Sequence, residues 1–245
     1  MDSLACLNKS SLELLRKNNL LIPLIIRELQ DQELSKISVS KELKMKALKE
    51  FLNKLNLPNQ ESFETWKKTN NLTDKDIENL ALNEVKTKQY CKNNFYNKAE
   101  SRFFERKTEL DIVVYSLLRI KDPGRAREFY LRIEEKEAEF SDLASRFSEG
   151  IEKKTCGIVG PSPVGAAHPI LQQHLQNKPI GEVQPPIKIE DSYLIVRVES
   201  FDPAQLDNFM REKMALELFN NWLQTQAKEI SQKLLNKLTT KNHAL

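Results

Sequence analysis

All six glycines of the 245-residue chain lie between Gly124 and Gly181. Glycine supplies the positive-φ backbone that tight turns require and weakens helix interiors. This distribution points to a helical N-terminal region, a turn-rich middle and a helical tail. Hydrophobic residues make up 40% and charged residues 30% of the chain, a balance that supports a packed core and argues against disorder.

The helical reading of the first hundred or so residues rests on spacing. One helix is expected over Ser11 to Leu34, kinked at Pro23, whose missing N–H interrupts the ladder. A second follows Ser40, with Met45, Leu48, Leu52 and Leu55 at helical intervals, and Pro58 ends it. Ser62 opens a short helix carrying Phe63 and Trp66. Thr73 with Asp76 has the form of a capping box, followed by Ile77, Leu80, Ala81 and Val85 on a helix reaching toward Phe95. Phe63, Trp66 and Trp222 read as core anchors.

The period changes at Leu110. LDIVVYSLLRI (110–120) is rich in β-branched residues and has the length of a buried strand. Asp122-Pro123 then supplies an N-cap and a first-turn proline. Two helices follow, one presenting Ala126, Phe129, Tyr130 and Ile133, the other Phe140, Leu143, Ala144 and Phe147, with Gly150 as its C-terminal cap. CGIVGPSPVG (156–165) reads as a strand and a proline-rich turn, and HPILQQHLQ (168–176) as a short helix. KPIGEVQPPIKI (178–189) and SYLIVRVESF (192–201) read as strands around a turn at 190–192. The order β-α-α-β-α-β-β fits a small α+β domain. Asp202-Pro203 signals one more helix, with Leu206, Met210, Met214, Leu218 and Trp222 recurring at i+4 and Ile230, Leu234 and Leu238 continuing the stripe. A stripe of that length must dock on another apolar surface, and the N-terminal helices are the expected one.

Function classes narrow on charge and cysteine content. The net charge is +3, with basic and acidic residues interleaved, so the concentrated basic face of a nucleic-acid binder is absent from the sequence pattern. Cys6, Cys91 and Cys156 are far apart, with neither metal-type nor disulfide-framework spacing. The opening MDSLACLNKSSLELLRK lacks the pattern of a signal peptide, and LLIPLII (20–26) is too short to span a bilayer. A cytoplasmic protein without membrane insertion, cofactor or metal is the expectation.

Five segments in order resemble the parvulin family of peptidyl-prolyl isomerases: YSLL (115–118); FSDLASRFSEG (140–150), similar to Phe-x-x-Leu-Ala-x-x-Ser; CGIVG (156–160) where parvulins have Gly-Gly-Asp-Leu-Gly; IGEVQPPI (180–187) where they have Gly-Glu-Val-Ser-x-Pro-Val; and YLIVRV (193–198) where they have Tyr-His-Ile-Ile-Lys-Val. LNLPNQESFETWKKTNNLTDKDIENLALNEV (55–85) resembles the helical region of the SurA and PrsA type of parvulin chaperone. The resemblance implies a four-stranded antiparallel parvulin-like sheet with flanking helices (108–201). It would be inserted in an all-helical domain made of residues 1–107 and the C-terminal helix of 202–245.

The resemblance also implies chemistry. A prolyl amide crosses a barrier of about 20 kcal/mol with no bond broken, so the need is an apolar grip on the ring and polar groups that favour the twisted amide. Parvulins are similar in placing two histidines on adjacent strands and a Cys or Asp after the second helix. Here the first histidine position matches Ser116, the second Leu194, and the Cys/Asp position Gly150, or Glu149 with a one-residue shift. Ser116 is the one catalytic candidate, with a satisfied core hydroxyl as its alternative. The apolar pocket matches Val159, Ala167 and Leu171, and Tyr115, His168 and Leu194 complete the expected substrate-binding set. His168, before Pro169, also suits a capping role; His174 reads as a surface residue and Cys156 as an inert small one. Three functions follow: an isomerase with a degenerate site acting on proline-containing polypeptides, a non-catalytic holdase for unfolded chains, or a dedicated partner in peptide export.

Overall fold

The structure, a computed structural model, describes residues 4, 6–57, 59–177 and 179–240, the side chains of 237–240 excepted. Pro58 and the side chain of Leu238, both invoked above, lie outside the described residues. The chain forms two compact units, one of residues 1–102 with 207–245 and one of residues 103–206.

The first unit is helical. α1 (Lys9–Lys17) and α2 (Leu21–Ser35) replace the single kinked helix expected over 11–34. The break falls at Asn18 to Leu20, where Asn19 takes φ 58. Asn tolerates that left-handed conformation, and Pro23 sits in the first turn of α2, where a missing N–H costs nothing. α3 (Lys41–Leu55) starts at Ser40, whose side chain accepts from the Leu43 amide. α4 (Gln60–Thr69) is capped by Asn59 rather than opened by Ser62. α5 (Asp74–Asn94) carries the expected capping box, Thr73 and Asp76 each accepting from the other's backbone amide. α6 (Ala99–Leu110) contains the unit boundary.

The long C-terminal helix runs over Asn208–Thr240. It begins six residues later than Asp202-Pro203 suggested, because Asp202 still pairs with Ile112 in the sheet and the Ala204 amide donates to the buried Asp111 carboxylate at 2.7 Å. Its fully buried row is Met214, Ala215, Phe219, Leu223 and Ala227, rotated from the predicted i+4 stripe, so that Leu218 and Trp222 are only half-buried. This helix packs on α2 and α5. The Tyr90 and Phe219 rings meet at a tilt with centroids 4.9 Å apart, and an Arg102–Glu217 ion pair closes one side. Among the described residues no helix is long and apolar enough to cross a membrane.

The second unit is α+β: a four-stranded antiparallel sheet with helices on its faces. Its elements are β1 (Ile112–Ile120), α7 (Pro123–Glu134), α8 (Phe140–Phe147), β2 (Ile158–Pro163), α9 (Pro169–Asn177), β3 (Ile187–Ile189) and β4 (Ser192–Asp202), with strand order β2-β1-β4-β3. The predicted element order holds. The strand expected over 178–189 shrinks to Ile187–Ile189, with isolated bridges at Ile180 and Val183, because Pro185 and Pro186 have no amide hydrogen for a ladder. Each face of the sheet has its own core. Leu118, Ile120 and Ile195 pack under α7 and α8. Tyr115, Leu117, Leu194 and Val196 pack with Leu171 and Leu175 of α9.

Candidate functional site

The face covered by α9 gathers most of the residues singled out in the sequence. Val113, Tyr115, Leu117 and Arg119 of β1 stand opposite Phe201, Val198, Val196 and Leu194 of β4. Side chains alternate along a strand and directly opposed residues share a face, so these eight side chains line one surface. Val159, opposite Tyr115 on β2, joins it, as does Ala167 at the foot of α9. Leu171 is 3% and Leu194 5% exposed. They form a filled apolar floor, while Val159 and Ala167 remain half-buried above it. His168 is exposed, and its Nδ1 accepts from the Ile170 amide at 3.3 Å, the capping geometry rather than a groove-facing one.

Ser116 is not brought to this surface. It pairs with Arg197 and Ile158 on the opposite face. A bulge between Val114 and Tyr115 leaves Glu199 unpaired in the β1–β4 ladder, and the Ser116 hydroxyl donates to the Glu199 carboxylate. Arg197 Nε donates to the same oxygen at 2.8 Å, and its guanidinium lies 5.3 Å from the centre of the Phe140 ring. The hydroxyl is thus satisfied and 1% exposed. The correction is one of register: a β1 side chain on this face must be Val113, Tyr115, Leu117 or Arg119. Leu117 is diagonal to Leu194 across β1 and β4 on this surface.

A polar cluster that sequence reasoning missed stands at the β1 end of the same face. α8 stops at Phe147 with Ser148 as its cap, not at Gly150, which is extended. The chain then turns through a 3₁₀ segment, Ile151–Thr155, and Glu152 points inward. Glu152 is 4% exposed. The Ser148 hydroxyl donates to its Oε1 at 2.6 Å and also accepts from the Arg119 amide at 3.1 Å. Arg119 Nε lies 3.7 Å from the same carboxylate oxygen. That nitrogen is buried and has no hydrogen-bond partner, although the guanidinium side chain as a whole is 43% exposed.

Gly150 owes its identity to this carboxylate. A Cβ at 150 would lie 2.2 to 2.5 Å from the carboxylate atoms of Glu152, so Glu152 fills the space into which a side chain at 150 would project. Tyr115 shares the electrostatic environment: burial pushes its phenol above the ordinary range, the Glu152 charge adds to that, and the Arg119 charge opposes it. The phenol therefore remains an O–H donor at neutral pH. Among the eight opposed β1 and β4 positions, Tyr115 and Arg119 are the polar ones. The signal for Arg119 was strand alternation from Tyr115; for Glu152 there was none, because a glutamate in EGIEKK looks like any exposed loop residue.

Cys156 is exposed at φ 52 and carries no disulfide. Among the described residues no three His, Cys, Asp or Glu side chains converge as metal ligands.

Residues 123–200 match the family described as Rotamase: PPIC-type PPIASE domain. Among solved structures, the peptidylprolyl isomerase PrsA from Bacillus anthracis is 18% identical, with 85% of this chain and 97% of that chain covered and a TM-score of 0.51. PrsA from Bacillus cereus is 19% identical over 94% of this chain and 88% of its own, with a TM-score of 0.47. The parvulin domain of PpiD from E. coli is 23% identical over 40% of this chain and 95% of its own, with a TM-score of 0.34. No curated protein matches the sequence. The chain carries a parvulin-type domain, and its fold is similar to that of the Bacillus anthracis protein.

Proposed function

We propose that this chain, proceeding from its parvulin-type domain, is a folding factor that binds proline-containing or unfolded polypeptides on the α9 face of its sheet and isomerises Xaa-Pro bonds there with a degenerate site. The observation that carries the reading is the convergence of Val159, Ala167, Leu171 and Leu194 on one face of a domain that matches the PPIC-type family. Degeneracy is supported by the leucines at 117 and 194, which hold no proton and donate no hydrogen bond. Ser116 does not serve as the catalytic donor in this reading; Tyr115 stays in the substrate-binding set. His168 is assigned to the N-terminus of α9 rather than to the ligand.

The helical region of 1–107 and the C-terminal helix of 202–245 are read as one chaperone domain into which the isomerase domain of 108–201 is inserted. A cytoplasmic location is kept as part of this proposal. One similar structure is of proteins titled SurA-like chaperones, one of them periplasmic, so cell fractionation is the direct check on compartment.

Two-dimensional exchange NMR on a panel of Xaa-Pro peptides tests the reading. Catalysed cis/trans exchange at saturating protein supports it. Peptide signals that shift without faster exchange turn the assignment to the second reading, a holdase, which the two leucines favour. A holdase suppresses aggregation of a denatured client with no dependence on proline. Dominant recovery of one small client in a pull-down would mark a dedicated role such as peptide export.

A further inference from the structure

We propose that Arg119 is the catalytic donor of this domain, and that Glu152 and Ser148 are positioning residues that hold its guanidinium at the edge of the apolar floor. The inference rests on the isomerase reading above and names the group that performs the chemistry.

Rotating a prolyl amide out of plane ends its resonance. The nitrogen then pyramidalises and carries a localised lone pair, an acceptor that the planar amide does not have. A fixed donor aimed at that nitrogen binds the twisted state better than either planar isomer, which is the condition for catalysis. Every ~1.4 kcal/mol of such selectivity is worth about tenfold in rate. No proton need transfer, so a permanently charged group serves better than one that titrates. Arg119 is such a group.

Its placement meets the geometric requirements. Arg119 stands directly opposite Leu194, whose side chain belongs to the floor with Leu171. Its guanidinium is part exposed, so its outer nitrogens can donate to a bound peptide while its buried Nε lies 3.7 Å from Glu152. That contact is fixed from behind. Glu152 is almost wholly buried, held by the Ser148 hydroxyl, and seated in a space kept open by the missing side chain of Gly150. A buried carboxylate with one countercharge restricts that countercharge to a small volume. Preorganisation of this kind is what an arginine on a free strand edge lacks.

The experiment measures exchange of an Xaa-Pro peptide by NMR with four full-length proteins and, separately, peptide affinity from chemical-shift titration. Arg119→Met alone strands a buried charge, so it is paired with the double variant R119M/E152M, in which both charges are replaced by apolar groups and folding is preserved. Arg119→Lys keeps the charge but loses the planar fork. The expected result is an exchange rate at saturation at least about tenfold lower in the double variant, with affinity changed less than threefold, and an intermediate rate for Arg119→Lys. Exchange in the double variant within twofold of the unaltered protein would overturn the role of Arg119 and leave the isomerase reading intact. No acceleration by the unaltered protein would overturn the isomerase reading and this inference together.

Discussion

At the residue scale, Gly150 and Glu152 are coupled by exclusion. A methyl group at 150 would meet the Glu152 carboxylate at 2.2 to 2.5 Å, far inside contact distance, so the Gly150→Ala variant must expel the carboxylate from its seat and release Ser148 and Arg119. Urea unfolding of the single variants and of G150A/E152A should show non-additivity: once the carboxylate is gone, the alanine fits. The expected coupling is about 1 kcal/mol, within the range seen for residues that share a network. Strict additivity would mean that the turn opens to admit the methyl. The residues of this cluster were poorly legible in the sequence. Tyr115, Val159 and Leu194 could be read from motif order, because each lies in one of the matched segments, whereas Ala167 and Leu171 fall between two of them. Glu152 depends on a turn that folds back toward its own helix, and neither composition nor period marks such a turn. Ser116 shows the converse: a one-residue slip in aligning a strand moves a side chain to the wrong face.

At the scale of elements, β1 allows that slip to be tested. Ser116 and Leu117 are both buried but face different cores. If the register is as described, the Ser116→Ala variant leaves peptide binding and any exchange activity unchanged, since its hydroxyl serves Glu199 and Arg197 on the far side. Leu117→Ala hollows the α9 face, costing about 2–5 kcal/mol, and shifts the NMR signals of Leu171 and Leu175. Loss of activity in Ser116→Ala with retained stability would instead favour the alignment read from sequence. A second element-level test concerns α7, where Asp122 caps the helix by accepting from the Arg125 amide at 2.7 Å ahead of Pro123. The Asp122→Ala variant should lower the stability of the sheet unit by about 1 kcal/mol in urea unfolding, and Asp122→Asn by less. Elements whose signals are local, such as this cap and the Thr73–Asp76 box, were legible in the sequence. Elements ended by tertiary pairing were not: Asp202-Pro203 has the form of a helix start, yet the sheet claims Asp202 and Asp111 claims the Ala204 amide.

At the scale of the whole molecule, the sequence marks a change of period at Leu110 and confines glycine to the middle, while the contact boundary falls earlier, between residues 102 and 103. The way the C-terminal helix packs was only half legible, because an i+4 count does not say which flank of a stripe is covered. The helical unit, described by itself, also carries a pH dependence. Burial, with the hydrogen bond from the Tyr90 hydroxyl to Glu33 at 2.9 Å, pushes the Tyr90 phenol from 10.0 up to about 12. Burial alone pushes the adjacent Cys91 thiol from 9.0 up to about 11. Both groups bind their protons more tightly when folded, so the unfolded chain loses protons first as pH rises. The stability they contribute is complete below about pH 9, declines as the unfolded chain ionises, and is lost by about pH 12, when the folded groups also titrate. Thermal unfolding of the full chain, followed through the helical signal, should therefore fall steeply between those limits. Tyr90→Phe removes the phenol while keeping the ring against Phe219, and Cys91→Ala removes the thiol. In Y90F/C91A the slope of melting temperature against pH over that window should flatten markedly, with little change at neutral pH beyond the lost Glu33 hydrogen bond. An unchanged slope in the double variant would overturn the assignment of the alkaline transition to Tyr90 and Cys91.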